Sequence, residues 1–232
     1  MLKINYFLRY YKKASIGIGA LIVFIALVLV AGIAASVIIQ TSGTLEHQAA
    51  STGRETTSEV STGLTVSAIE GYADVSNQDD ISKIAILIRP RAGTDSIDLN
   101  TCYLELCNGT RKVILNYTSS YYSNPAGLND LFNTNVFPDD EFPFGNANNR
   151  DGTRFGILIL EDIDGSITLD NPIITRGDKV YLCVNASGAF NKIAERITIS
   201  GMLVPEIGIP ANIEFTTPGT YDDYVMELFW DM

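Results

Sequence analysis

No charged residue occurs from Ser15 to Leu45, and within that interval residues 16–39 form one apolar run of 24 residues. At about 1.5 Å per residue this run makes a helix roughly 36 Å long, enough to cross a hydrocarbon core. It is hydrophobic all round, so no single stripe marks a face that turns to water. Such a segment must lie in lipid or be surrounded by protein. Residues 1–14 carry Lys3, Arg9, Lys12 and Lys13 and no acidic residue. Positive charge placed just before an apolar run keeps residues 1–13 on the cytoplasmic side. A secretory signal has a shorter apolar region, of about 7–15 residues, and a small-residue cleavage site. Gly32-Ile33-Ala34-Ala35-Ser36 mimics such a site inside the longer run. Three readings follow: a plain membrane anchor, a cleaved secretory signal, or a precursor cut at the Lys12-Lys13-Ala14 boundary.

The remaining chain has a different character. The 232 residues carry a net charge of −11, and four of the 16 basic residues lie in the first fourteen, so the rest sets 12 basic against 27 acidic residues. An acidic chain is a poor nucleic-acid binder, because that affinity rests on Lys and Arg neutralising phosphates. With 46% hydrophobic residues it is too apolar for a disordered chain. One histidine and three cysteines disfavour imidazole-driven chemistry, His-based zinc sites and a dense disulfide scaffold. Residues 40–63 are dominated by Ser and Thr, with thinly spaced Leu45, Ala49, Ala50 and Val60 and no Pro. They read as a polar continuation of the helix, and a linker suits the composition too.

From Leu64 the hydrophobic period becomes two. Strands are predicted at residues 64–70, 81–89, 96–107, 112–117, 155–160, 179–185 and 196–204, with two more at 213–216 and 224–230. Each is short, rich in Val, Ile, Thr, Tyr and Phe, and bounded by Gly, Asn, Asp or Pro. No ten-residue amphipathic helix separates them. The predicted class is therefore α+β: a long N-terminal hydrophobic helix followed by an antiparallel, immunoglobulin-like β-sandwich with Greek-key connections. Residues 124–154, rich in Asn, Asp, Gly and Pro, read as one long loop.

The string Lys12-Lys13-Ala14-Ser15-Ile16-Gly17-Ile18-Gly19, continuing Ala20-Leu21-Ile22-Val23-Phe24-Ile25-Ala26, resembles the N-terminus of archaeal flagellins, or archaellins. The resemblance extends through Val28-Leu29-Val30-Ala31, Gln40-Thr41-Ser42-Gly43 and Ala50-Ser51-Thr52-Gly53-Arg54-Glu55-Thr56-Thr57. It is close over about the first seventy residues and general in the β domain. It implies a class III signal peptide, residues 1–14, removed by a prepilin-peptidase-like enzyme between Ala14 and Ser15. The family usually has Gly where this chain has Ala14. Bacterial type IV pilins carry Glu at the fifth mature position, which here is Gly19, and no carboxylate follows until Glu46; this favours archaellin over pilin.

On this reading residues 15–63 form the filament core, and residues 64–232 form its outer domain. Core candidates are Ile16, Gly17, Ile18, Gly19, Leu21, Ile22, Phe24, Ile25, Leu27, Val28 and Leu29. Gly32, Ala31, Ala34 and Ala35 add small surfaces that permit close helix approach. An all-round apolar helix is stored in the membrane and leaves it only for copies of itself. Lys12, Lys13 and Arg9 must be removed because each would otherwise be buried unpaired, at several kcal/mol. The expected function is that of a structural subunit of the archaellum for swimming, with no enzymatic activity and no required cofactor. Its partners are copies of itself in a helical polymer, with room for a paralogous subunit. The peptidase, the assembly machinery and, before assembly, the membrane complete the set; nucleic acid is excluded. The filament lies outside the cell and the precursor in the cytoplasmic membrane. The alternatives are an adhesive pilus subunit and a membrane-tethered β domain that never assembles.

Smaller signals lie in the outer domain. Three N-glycosylation sequons occur, Asn108-Gly109-Thr110, Asn116-Tyr117-Thr118 and Asn185-Ala186-Ser187, all at expected strand ends or turns. Asn108, in a turn, is the foremost candidate, and the resemblance to archaellins supports modification. Asp162-Ile163-Asp164-Gly165 has the carboxylate spacing of a calcium loop without the other ligands of an EF-hand. Asp139, Asp140 and Glu141 are candidates to complete it; an acidic turn between strands explains the same residues. Cys102 and Cys107, on one expected strand, point to opposite faces and do not pair with each other. A bond from either to Cys183 and free buried thiols fit equally. His47 is expected in solvent or at a subunit contact. Tyr221, Tyr224, Phe229 and Trp230 are expected in a final core strand, with an intersubunit role as the alternative.

Overall fold

The computed structural model describes residues 2–77, 80–124, 130–132, 137 and 152–230. Two compact units divide the chain, residues 1–55 and 56–232. Helix α1, Leu2–Ser61, begins in the first unit and ends in the second. It passes through the Ser/Thr-rich stretch without a break, as the polar-continuation reading expects. The Thr41 hydroxyl bonds the carbonyls of Val37 (2.9 Å) and Ile38 (3.0 Å), and that of Thr44 bonds the Gln40 carbonyl (3.0 Å). Folding their hydroxyls back onto the helix satisfies these side chains without competing for the ladder, despite the poor propensity of Thr. The helix stops at Ser61, two residues before Gly63.

The second unit is a mostly antiparallel β domain. Its strands are β1 (Leu64–Ala73), β2 (Ile81–Pro90), β3 (Ile97–Asp98), β4 (Tyr103–Cys107), β5 (Lys112–Ser123), β6 (Arg154–Glu161), β7 (Ile173–Ile174), β8 (Lys179–Asn185), β9 (Thr198–Val204), β10 (Ala211–Thr216) and β11 (Val225–Trp230). A short helix α2, Ala186–Phe190, follows β8. Nine strands form one sheet in the order β10-β9-β4-β5-β6-β8-β2-β1-β11, and β3 pairs with β7 separately. The sheet curls until β10 lies near β1 and β11, so the expected layers are two halves of one sheet. Between them Ile69, Ile84, Ile86 and Leu182 share one core with Leu104, Leu115, Ile199 and Ile213.

Three local features differ from the sequence expectation. The strand expected at 96–107 is broken between β3 and β4. The Asp98 carboxylate accepts the Asn100 N–H (2.8 Å) and its carbonyl accepts the Thr101 N–H (3.3 Å), which closes a turn. Cys102 therefore precedes β4 instead of sharing a strand with Cys107. β5 runs to Ser123 and pairs in parallel with β6, the one parallel strand pair in that sheet among the described residues. A parallel pair needs a long connection, and residues 124–153 separate the two strands in sequence. Of these, Phe132 and Phe137 reach the far side of the sheet. There they bury Ala85, Leu158 and Cys183 in a second small core. Lys83 on β2 secures this cover, its Nζ donating to the Phe132 carbonyl (2.8 Å) and lying 5.2 Å from the Phe137 ring centre.

Candidate functional site: an exposed helix and the outer surface

The large apolar side chains of α1 described between Ile18 and Ile39 find no cover in the chain's own fold. Ile18, Leu21, Ile22, Phe24, Ile25, Leu27, Val28 and Leu29 are all at least half exposed, and Ile39 reaches 72%. Burying one such side chain is worth about 1.5–3 kcal/mol. A row of them in water is therefore a large unspent driving force. Gly17, Gly19 and Gly32 sharpen the point. A Cβ on any of them would meet nothing within 4 Å. Glycine inside a helix costs about 1 kcal/mol relative to alanine. Nothing in this chain's fold asks for it, whereas close approach of another helix does. The backbone of Lys12, Lys13, Ala14, Ser15 and Ile16 continues the same helix, so the proposed junction lies on α1. His47 is exposed on the polar part of the helix.

The three sequons have separate fates. Asn108 sits half-buried in the β4–β5 hairpin. Its carboxamide oxygen accepts the N–H of Thr110 (3.1 Å), the N–H of Arg111 (2.7 Å) and the Thr110 hydroxyl (2.9 Å). Those bonds use the oxygen and leave the amide nitrogen, the atom a sugar would take, outside this turn. Asn116 is exposed on β5, directly opposite Tyr103 of β4. Asn185 must be withdrawn as a glycosylation candidate. It is 5% exposed, and its side chain caps α2 by accepting the Gly188 N–H (3.1 Å). A glycan there would need the cap and the surrounding core to open.

The acidic loop gathers more residues than its spacing announces. Asp162, Asp164 and Asp178 each bring a carboxylate oxygen within 4.8 Å of the others. Asp178 is fully buried and lies fourteen residues past Asp164 in sequence, so no local pattern points to it. Its carboxylate accepts the N–H of Ile163 (3.0 Å) and of Thr175 (2.8 Å). Asp162 accepts the N–H of Gly165 (2.8 Å) and of Ile167 (3.3 Å). Hydrogen bonds from Ser166 and Thr175 hold the Asp164 carboxyl below the usual carboxylate range. The three side chains thus stitch the turn together, as an acidic turn would, while bringing several negative oxygens to one place. Asp139, Asp140 and Glu141 lie outside the described residues.

All three cysteines are free. Cys102 is buried, with its thiol pushed up to about 12 by desolvation; burial under Phe132 and Phe137 pushes the Cys183 thiol up as well. Both are core packing groups, not reactive thiolates. Of the aromatic tail, the Tyr221 hydroxyl reaches inward to the Ile193 carbonyl (3.0 Å) and Tyr224 stacks on Tyr72. Phe229 and Trp230 stand exposed on the edge strand β11.

The pattern of the archaeal-type flagellin family matches residues 14–215. Flagellin B2 of Methanocaldococcus jannaschii is 40% identical over 90% of this chain and 91% of its own length. Flagellin B3 of Methanococcus voltae is 41% identical over 94% and 96% respectively. The crystal structure of archaeal flagellin FlaB1 from M. jannaschii superposes with a TM-score of 0.61 at 36% identity, over 72% of this chain and 96% of that one. A subunit of the archaeal flagellum of Methanospirillum hungatei strain JF1 matches with a TM-score of 0.59 over 90% and 98% at 14% identity, a likeness of fold.

Proposed function

Starting from the fact that this chain belongs to the archaeal-type flagellin family, and is therefore a structural subunit of the archaellum filament, we propose how its parts perform that role. The carrying observation is the naked apolar helix: α1 exposes every large hydrophobic side chain described between Ile18 and Ile39. In the precursor this segment rests in the cytoplasmic membrane, where its internal hydrogen bonds satisfy the backbone. A prepilin-peptidase-like enzyme removes residues 1–14, and the assembly machinery moves the helix from lipid to a bundle of identical helices. The contact is head-to-tail and does not close, so it grows a helical polymer. The β domain faces outward and carries no catalysis. Its surface is glycosylated at Asn108 and Asn116.

N-terminal sequencing of subunits from sheared filaments tests the first step. Ser15 at the terminus supports the proposal. An intact Met1 would make the chain a tether, and a start near Ala35 would mean ordinary secretion and loss of the assembly helix.

For the acidic loop we propose a structural calcium ion across Asp162, Asp164 and Asp178, supported by the convergence of their oxygens. Chelation by EDTA should lower the melting temperature of the outer domain, and calcium should restore it. The Asp162→Asn variant should respond to neither. An unchanged melting temperature would leave the acidic turn as the full account.

A further inference from the structure

The outward side of strands β9, β4 and β5 carries an apolar strip that the fold leaves uncovered. Tyr103 (40% exposed), Ile114 (55%) and Met202 (37%) belong to it. Register places them precisely enough to read the strip as rows across the sheet. Asn116, Tyr103 and Val204 lie side by side in one row; Ile114, Glu105 and Met202 form the next. Glu105 stands between Ile114 and Met202 in the second row, where Lys112 pairs with it at 2.6 Å, so the strip has a polar centre between its apolar flanks. Exposed hydrophobic residues in a cluster mark something that covers them.

Asn116 heads the first row. Directly opposite side chains in an antiparallel pair have their Cβ atoms about 4.5–5.5 Å apart, and diagonal neighbours remain within reach of long groups. A group attached to the Asn116 amide nitrogen therefore starts beside the Tyr103 ring, with Ile114 two positions away on its own strand. Asn108 offers no such platform: it lies beyond the last β4–β5 pair, Cys107 with Lys112, in the hairpin turn.

We propose that the strip is the seat of a saccharide carried by Asn116, whose first ring packs on Tyr103 while the chain of sugars extends over Ile114 and Met202. This rests on the N-glycosylation proposed above and goes further, naming which sequon has a built-in docking surface. A pyranose suits the place: its C–H face matches the aromatic ring and the aliphatic side chains, and its hydroxyl rim matches Glu105 and Lys112. In the transfer, the Asn116 amide nitrogen forms a bond to the anomeric carbon of a sugar activated as a phosphate ester. The carbon–oxygen bond to phosphate breaks, the phosphate ester leaves with the electron pair, and the nitrogen gives one proton to a base of the transferase, an enzyme distinct from this chain. An occupied Asn116 also bars a second subunit from lying flat on this face.

Filaments sheared from cells carry the test. The peptide containing Asn116 should bear a saccharide mass, which the Thr118→Ala variant loses while Asn116 itself remains. Tetranitromethane should nitrate Tyr103 several-fold more in Thr118→Ala filaments than in wild type, with Tyr224 as the unchanged reference. A saccharide on Asn116 with equal nitration of Tyr103 in both overturns the docking surface and leaves glycosylation standing. An unmodified Asn116 overturns the proposal as a whole, without touching the filament role, which rests on α1. A density map of wild-type filaments reads the same question with no variant. Sugar density running from Asn116 against the Tyr103 ring supports it; a neighbouring subunit in that place overturns it.

Discussion

Asparagine and aspartate show how far a residue's surroundings outrun its motif. Asn108, Asn116 and Asn185 carry equivalent sequons, yet one closes a hairpin, one stands exposed on a strand, and one is buried as a helix cap. Burial of the third depends on α2 folding back after β8, which a five-residue helix gives no amphipathic pattern to foretell. The acidic loop repeats the lesson, since Asp162 and Asp164 lie two positions apart in sequence and Asp178 joins them only through the fold. A pH experiment isolates one member. Hydrogen bonds from Ser166 and Thr175 depress the Asp164 pKa in the folded state, so its contribution is present above the unfolded value of about 3.9 and is lost as pH falls through the lower, native one. With EDTA present throughout, wild type should melt above Asp164→Asn by a constant margin from neutral pH to about 5, and the margin should close below about 4. A margin that persists at pH 2 would show that the carboxylate's charge is not what matters.

Among the elements, α1 was the most legible and the connections the least. A charge-free run of this length has few folded outcomes, and the all-round exposure of its side chains follows from the same composition. Strands β1, β2, β8 and β9 were equally plain because apolar residues alternate along them or fill them. β3 and β4 look like one strand in the sequence, since the turn between them is closed at one residue, by the carboxylate and the carbonyl of Asp98. The parallel β5–β6 pair left no local trace, because neither strand's own residues encode the direction in which it pairs. The legibility of the helix extends to its weak point. Val23 is 59% exposed in the isolated chain and sits amid the apolar run. In a helix bundle an Asp there would be buried without a partner, at several kcal/mol in each subunit. Val23→Asp should therefore abolish filaments seen by electron microscopy while leaving the β domain's melting temperature unchanged. Normal filaments from this variant would mean a wetter core than the apolar composition implies.

At the scale of the whole molecule, opposite solutions to the hydrophobic effect share one chain. Residues 56–232 bury their apolar side chains internally, with Ile69, Ile84, Ile86, Leu104, Leu115 and Leu182 fully enclosed, whereas residues 17–55 bury almost nothing. Stability and assembly are thereby separable: the domain obtains its free energy from its own core, the helix from neighbours. A chain beginning at Thr56 should then fold cooperatively and remain monomeric at concentrations where the full mature chain polymerises. Calorimetry and analytical ultracentrifugation check the two halves of that expectation. An unfolded fragment would show that the domain borrows stability from the helix. A fragment that polymerises would move the driving contact to the outer domain, and the exposed apolar surface of α1 would need another explanation.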